Sequence, residues 1–244
     1  MWPFRLQPAR RPRDATPRSY GKRGGAVQTF ARVCVFTIAW LACASVPTAP
    51  GAAERPVKIV ALGDSLTAGL GLPSEAAFPA KLAQALRDKG IAVEVANAGV
   101  SGDTAADGLS RIDWSVPEGA DAAIVELGAN DALRGIDPKL TGAALEGILR
   151  RLRERNIAVL LAGMRAPPNM GAAYAQAFDP IFPELASRFD VVFYPFFLDG
   201  VAAERALNQP DGMHPTATGV DVIVAHILPK VEELIARARK ERGS

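Results

Sequence analysis

From residue 57 onward, short runs of apolar and β-branched residues alternate with longer amphipathic segments, and this alternation limits the folds open to the chain. The apolar runs predict five strands, at residues 57–62, 91–96, 122–127, 157–163 and 191–194. The amphipathic segments predict helices at about residues 77–89, 104–111, 138–155, 172–188 and 216–239. Strands that alternate with helices need crossover connections, which make the sheet parallel and cover both of its faces. The pattern therefore predicts an α/β fold around a five-stranded parallel sheet.

Ligands of such sheets bind at the carboxyl ends of the strands, so reactive residues should directly follow strands. The first predicted strand is followed by GDSLTAG, which puts Ser65 at a strand-to-helix turn where backbone N–H groups are free to bind an anion. Asp64 and Ser65 are also good helix caps, and this simpler interpretation stays open. The segment lacks the Lys-Ser/Thr of a P-loop, the last glycine of a dinucleotide-binding pattern and the G-x-S-x-G of a nucleophile elbow.

Two further segments follow the second and third predicted strands. In NAGVSGDT, Gly102 has no side chain, so its N–H can approach a substrate oxygen closely. The alternative is a plain turn in which Asp103 or Thr104 caps a helix. In GAND, the side-chain amide of Asn130 can donate to an oxyanion, a contribution of roughly 3–4 kcal/mol. The alternative there is an ordinary Asn-Asp turn.

The segment DGMHP precedes the last predicted helix and contains one of only two histidines in the chain. The proline after His214 favours an extended loop. Asp211 is three residues upstream and can reach the imidazole, where a carboxylate fixes the tautomer and stabilises the charged form. His226 falls within the last predicted helix, and we interpret it as a partly buried structural residue. Two histidines make a zinc site improbable, so we expect no metal and no cofactor.

The basic residues are concentrated in the first 53 residues, which carry eight of them against one acid. Residues 54–244 then hold 20 basic and 25 acidic side chains, a net charge of −5. A mildly acidic domain offers no general attraction to nucleic-acid phosphate, so we expect no nucleic-acid partner.

Residues 1–53 have the pattern of an N-terminal extension with a signal peptide. A short apolar run at residues 33–46 follows a basic region and precedes small residues that end at Ala53, after which we predict cleavage. The run is too short for a comfortable membrane span, although a retained anchor remains the alternative. Cys34 and Cys43 both lie in this leader, so the predicted mature domain, residues 54–244, has no disulfide. We expect a periplasmic or secreted monomer without a stable membrane span.

Taken together, the segments GDSL, SG, GAND and DGMHP occur in the order and setting of the SGNH (GDSL) hydrolases, which the chain resembles over nearly all of residues 57–239. It is most similar to the thioesterase I, lysophospholipase and arylesterase branch of that family. In the GAND segment, Ala129 stands where many relatives have Gly or Thr. The resemblance implies a flavodoxin-like three-layer α/β/α fold with the strand order 2-1-3-4-5.

The resemblance also implies roles for individual residues. Ser65 matches the family nucleophile, His214 the general base and Asp211 the carboxylate that orients it. The oxyanion hole would consist of the N–H groups of Ser65 and Gly102 and the amide of Asn130. The implied reaction is acyl transfer to water, as in a serine esterase.

The substrate is less constrained by the sequence. We predict substrate contacts by residues that follow strands one, three and four: Asp64, Leu133, Arg134, Ile136 and Pro168. Apolar side chains there suit an acyl chain or an aromatic ring, while Arg134 or Arg165 would attract a phosphate head group unless both are simply solvated. We expect carboxylic esters and thioesters, including aryl esters, with lysophospholipids as further candidates. A carbohydrate O-acetyl esterase and a non-catalytic binding module on the same fold are the alternatives.

Overall fold

The strands lie where the apolar runs predict them, in one sheet. A computed structural model describes residues 55–242 of the chain. Its strands are Val57–Gly63 (β1), Val93–Gly99 (β2), Ala122–Glu126 (β3), Ala158–Ala162 (β4) and Val192–Tyr194 (β5). Every pairing is parallel, and the order is β2-β1-β3-β4-β5. The predicted fold class is confirmed, as is the strand order that the resemblance implies.

Helices cover both faces of this sheet. They are Ser65–Ala68 (α1), Phe78–Asp88 (α2), Ala105–Ser110 (α3), Ile112–Ser115 (α4), Ala129–Leu133 (α5), Pro138–Glu154 (α6), Ala172–Phe178 (α7), Ile181–Phe189 (α8) and Ala217–Arg242 (α9). Short 3-10 turns span Ser74–Ala76 and Pro168–Met170. On one face, α2 and α9 pack against each other and the strands, and on the other face α6 packs against α3 and α8. The result is three layers.

Burial along the strands follows their place in the sheet. Every residue of the central strands β3 and β4 is buried, as expected for strands with a helical layer on each side. The edge strand β2 is mostly exposed or half-buried. Aromatic pairs fill the space between sheet and helices, with Phe78 against Phe197 and Phe178 against Phe182, both edge to face.

Two predicted elements differ clearly from the structure, each for a local reason. The second strand begins at Val93 rather than residue 91, because Ile91 still donates its N–H to the carbonyl of Leu86 at the end of α2. It also runs on to Gly99. The single helix predicted over residues 172–188 is two helices, α7 and α8. Pro180 lies at the break, and a proline has no N–H to continue a helical ladder.

The predicted leader, residues 1–53, with its two cysteines and its cleavage point, lies outside the described residues. Between residues 55 and 242, no helix combines the length and the apolar character that a membrane crossing requires.

Candidate active site

Ser65 is the first residue of α1 and lies where β1 leaves the carboxyl edge of the sheet. Asp64 caps this short helix, since its Oδ1 accepts the N–H of Leu66 at 2.9 Å. Residue 63 has to be glycine, because a Cβ atom there would collide with the side chain of Thr67. Ser65 is thereby held at the edge of the sheet, and as the first helical residue it has an N–H with no acceptor inside the helix.

The loop before α9 brings His214 and Asp211 to this serine. His214 Nε2 lies 2.9 Å from Ser65 Oγ, and His214 Nδ1 lies 2.7 Å from Asp211 Oδ2. The other carboxylate oxygen of Asp211 accepts the backbone N–H groups of Met213 and His214 at 2.9 and 3.0 Å. These backbone N–H groups, together with the imidazole, lower the pKa of Asp211 to about 2. The aspartate is therefore ionised at neutral pH and oriented toward the ring.

Gln209 joins the histidine loop to the segment that follows Ser65. Its side-chain amide donates to the carbonyl of Leu70 at 2.7 Å and to that of Pro215 at 2.9 Å. Its backbone N–H donates to the carbonyl of His214 at 2.7 Å. The two reactive side chains are far apart in sequence, so a direct tie between their loops preserves their spacing. Nothing in the sequence around residue 209 indicates this role.

The predicted oxyanion donors also converge here. Gly102 has a φ of +91°, a backbone conformation that favours glycine, and the space beside it is open apart from one arginine nitrogen 3.6 Å from a built Cβ. Asn130 Nδ2 donates to Asp64 Oδ2 at 3.0 Å and to the carbonyl of Asp103 at 2.9 Å. Asp64 precedes the serine and Asp103 follows Gly102, so these two bonds hold the amide between both segments.

A second buried carboxyl group lies beneath the serine. Glu126 ends β3 and is fully buried, and its Oε2 accepts the hydroxyl of Thr67 at 2.6 Å. Burial, and then the nearby charge of Asp64, raise the pKa of Glu126 well above its usual value. Burial also raises the pKa of Asp64, to about 6. Our sequence analysis did not single out Glu126, although an acid at the end of an apolar strand is a signal in itself.

Three of the predicted substrate-contacting residues lie in the loops that follow β3 and β4. Leu133 and Pro168 are exposed, and Arg134 is exposed while its Nη2 donates to the carbonyl of Gly102 at 2.7 Å. Asp64 departs from the prediction, because its carboxylate is completely buried and engaged by Leu66 and Asn130. It is therefore a supporting residue of the site rather than one that solvent or a substrate could reach.

Ile136, the remaining predicted contact, is half-buried, and its carbonyl accepts the hydroxyl of Tyr174 at 2.7 Å. A Cβ atom built on Gly135 would lie 3.3 Å from the Met170 methyl group, so the loops after β3 and β4 touch.

Two basic side chains outside this site also have defined surroundings. His226 is more exposed than predicted, and its Nδ1 lies 3.1 Å from the carbonyl of Asp199, because it is on the outer side of α9. Arg165 stacks on the ring of Phe196 at 4.9 Å. Within the described part of the chain, no three His, Cys, Asp or Glu side chains lie close enough together to hold a metal ion.

Known proteins resemble the chain in both sequence and structure. Residues 61–222 match the GDSL-like lipase/acylhydrolase family. An arylesterase of Vibrio mimicus is 37% identical over 165 residues, 67% of this chain and 82% of that protein. Thioesterase 1/protease 1/lysophospholipase L1 of Escherichia coli is 36% identical over 178 residues, 72% of this chain and 84% of that protein. The crystal structure of AlinE4, an SGNH-hydrolase family esterase, superposes with a TM-score of 0.64 at 48% identity, covering 75% of this chain and 98% of that one.

Proposed function

The chain belongs to the GDSL-like lipase/acylhydrolase family and is a hydrolase of ester bonds, and we propose that Ser65 is its nucleophile, with His214 as general base and Asp211 as the carboxylate that orients it. The observation that carries this proposal is the continuous hydrogen-bond chain from Asp211 Oδ2 through the imidazole to Ser65 Oγ, with distances of 2.7 and 2.9 Å. An imidazole bonded in this way can take the serine proton as the hydroxyl attacks a carbonyl carbon.

The reaction proceeds in two acyl-transfer steps. Ser65 Oγ bonds to the substrate carbonyl carbon while His214 Nε2 takes the hydroxyl proton. The tetrahedral intermediate collapses as His214 returns that proton to the leaving alcohol or thiol, which leaves an acyl-serine. A water molecule then attacks the acyl carbon as His214 takes its proton, and the second intermediate collapses as His214 returns that proton to Ser65 Oγ, which releases the carboxylic acid.

The oxyanion of each intermediate is stabilised by donors from three segments. These are the N–H groups of Ser65 and Gly102 and the side-chain amide of Asn130. The amide already donates to Asp64 and Asp103, so one of its hydrogen atoms would be shared between the oxyanion and that acceptor. The positive φ of Gly102 and the two bonds of the amide support this assignment, because donors held in advance need little reorganisation when charge develops.

The surroundings of the serine favour substrates with an apolar acyl or aryl group. Large apolar side chains are exposed in every segment that contributes to the site: Leu70, Val100, Leu133 and Met213. We propose short- to medium-chain carboxylic esters and thioesters as substrates. Arg134 is the nearby cation for an anionic head group such as that of a lysophospholipid.

A chain-length series of p-nitrophenyl esters and acyl-CoA thioesters tests this function on wild type beside Ser65→Ala. We expect turnover of both substrate classes, and a loss of several orders of magnitude in kcat for the variant. Mass spectrometry after fluorophosphonate treatment should find the adduct on Ser65 in the folded protein. Substantial hydrolysis by the variant would overturn the assignment of the nucleophile. A strong preference for acetylated xylan over these esters would overturn the substrate class.

We also propose that the enzyme is exported as a monomer, after removal of residues 1–53. The basic, apolar and small-residue pattern of that segment supports the proposal. N-terminal sequencing of the protein from a periplasmic or secreted fraction should begin at Glu54, and light scattering should give the mass of one chain. A protein that stays with the membrane and keeps residues 33–46 would contradict export in this form.

A further inference from the structure

Arg111 follows α3 and is buried, with only 7% of its side chain exposed. Its Nε donates to Asp103 Oδ2 at 2.6 Å, and its Nη2 donates to the carbonyl of Gly63 at 2.9 Å. Its Nη1 donates to the carbonyl of Ala98 at 2.9 Å and to Ser115 Oγ at 2.8 Å. One planar group therefore joins the ends of β1 and β2, the turn after β2 and the end of α4.

The burial of this guanidinium is stabilised by these acceptors. Arginine does not lose its proton inside a protein, so its charge has to be compensated by the groups around it. Asp103 supplies the countercharge, and two backbone carbonyls and a hydroxyl take the remaining N–H groups. A lysine has no fork of donors and cannot reach acceptors in these different directions at once.

Two of the four acceptors are directly connected to the proposed oxyanion donors. Gly63 is separated from Ser65 by a single residue. Asp103 follows Gly102 in the chain, and its backbone carbonyl also accepts the amide of Asn130 at 2.9 Å. A displacement of Asp103 would therefore move the N–H of Gly102 and release the amide from one of its two acceptors.

We propose that Arg111 is the positioning residue of the oxyanion hole, because it ties the segment of Ser65 to that of Gly102 and holds Asp103, whose carbonyl accepts the amide of Asn130. The inference rests on the proposed function of Ser65. Arg111 acts through Asp103 and Gly63 and does not itself touch the substrate. Its contribution is to transition-state stabilisation, since misplaced donors weaken the binding of the oxyanion more than that of the ester ground state.

The test compares Arg111→Lys with Arg151→Lys. Arg151 makes a bidentate ion pair with Asp113 that is exposed to solvent, so it is a matched arginine remote from the serine. Active sites are titrated with a fluorophosphonate, and kcat is expressed per titrated site so that unfolded protein does not count. We expect kcat to fall about 10²-fold for Arg111→Lys with little change in KM, as when a reacting group is misplaced by about an ångström. Arg151→Lys should keep the wild-type kcat.

A second readout separates positioning from stability. A trifluoromethyl ketone adds to the serine and presents an oxyanion, so its inhibition constant should weaken in Arg111→Lys by about the factor lost in kcat/KM. Ser115→Ala removes an acceptor of Arg111 that is not connected to the donors, and it should leave both quantities unchanged. If Arg111→Lys does not accumulate as folded protein, Asp103→Asn replaces it, with a smaller fall in kcat expected.

Wild-type kcat per titrated site in Arg111→Lys, or in Asp103→Asn where that variant replaces it, would overturn the inference. So would a fall in kcat without any weakening of the ketone. The proposed function fails separately, if wild type neither turns over esters nor reacts with the fluorophosphonate at Ser65.

Discussion

The two ends of β3 each carry a buried acid, and the molecule treats these acids in opposite ways. Asp121 precedes the strand at the amino edge of the sheet, and its carboxylate accepts both guanidinium nitrogens of Arg55 at 2.8 and 3.0 Å and the N–H of Lys58 at 2.8 Å. Arg242 Nε lies 3.5 Å from Asp121 Oδ1. Burial acts to raise the pKa of Asp121, but the hydrogen bonds and these charges outweigh it and lower the pKa.

At the carboxyl edge, the hydrogen bonds that Glu126 accepts, such as that from the Thr67 hydroxyl, do not outweigh its burial. Its Oε1 has no hydrogen-bond partner within residues 55–242, and the charge of the Asp64 carboxylate adds to burial in raising the pKa of Glu126. The buried cation at this edge, Arg111, serves Asp103 and two strand-end carbonyls instead. The acid at the amino edge thus has partners for both carboxylate oxygens, which favours stability, whereas the acid at the carboxyl edge keeps one oxygen without a partner near the segment of the proposed nucleophile. Departures from local satisfaction are expected where a protein performs its function.

Asp211→Asn provides the largest expected effect and addresses the carboxyl edge. An amide cannot hold the imidazole in the tautomer that accepts the serine proton, so we expect kcat to fall by about 10⁴. The melting temperature should stay close to that of wild type, because Asp211 lies in an exposed loop. Steady-state kinetics and thermal unfolding check both values. A variant that loses stability but retains its kcat would contradict the comparison, which assigns catalysis to the carboxyl edge and stability to the amino edge.

Asp121→Ala should have the opposite profile. It leaves Arg55, Arg242 and the N–H of Lys58 without their shared acceptor, and we expect a loss of about 1–3 kcal/mol in the free energy of unfolding. For a domain of this size, that corresponds to about 2–4 °C in Tm for each kcal/mol. The kcat per folded molecule should be unchanged. A large fall in kcat would show that the amino edge is coupled to the site and would break the comparison.

Glu126→Gln tests the smallest effect through the pH dependence of stability. A carboxyl whose folded pKa is raised binds more protons in the folded state, so it costs stability as the pH rises above the ordinary carboxyl value of about 4.3. Wild type should therefore lose more Tm between pH 5 and pH 8 than Glu126→Gln, which cannot ionise there. Parallel curves of Tm against pH for the two proteins would contradict a raised pKa of the buried Glu126.

The central strands and the layer arrangement were predictable because they depend on local pattern. The residues of β3 and β4 form short, continuous apolar runs between turn residues, and such runs are typical of buried strands in a parallel sheet. The edge strand β2 is only partly buried, so its apolar pattern is weak and its predicted bounds were displaced. The break between α7 and α8 was visible as Pro180, but the apolar periodicity on both sides of it concealed the interruption.

The residues of the candidate site also separate into those that a local sequence pattern indicates and those that depend on distant contacts. Ser65, Gly102 and Asn130 lie in short segments near strand ends, where the rule for parallel sheets directs attention, and the resemblance to the SGNH hydrolases implied their roles. Arg111 and Glu126 were missed because their surroundings are made by residues distant in the chain: Arg111 reaches back 48 positions to Gly63, and Glu126 reaches back 59 positions to Thr67. The spacing of neighbouring residues does not predict a contact between residues so far apart in the chain.

A crystal structure of the phosphonylated enzyme tests the central claim most directly, because a phosphonate on the nucleophile mimics the tetrahedral intermediate. The account predicts a bond from phosphorus to Ser65 Oγ, with the phosphonyl oxygen within hydrogen-bond distance of the N–H of Gly102 and of Asn130 Nδ2. An adduct on another residue, or a phosphonyl oxygen directed away from both donors, would contradict it.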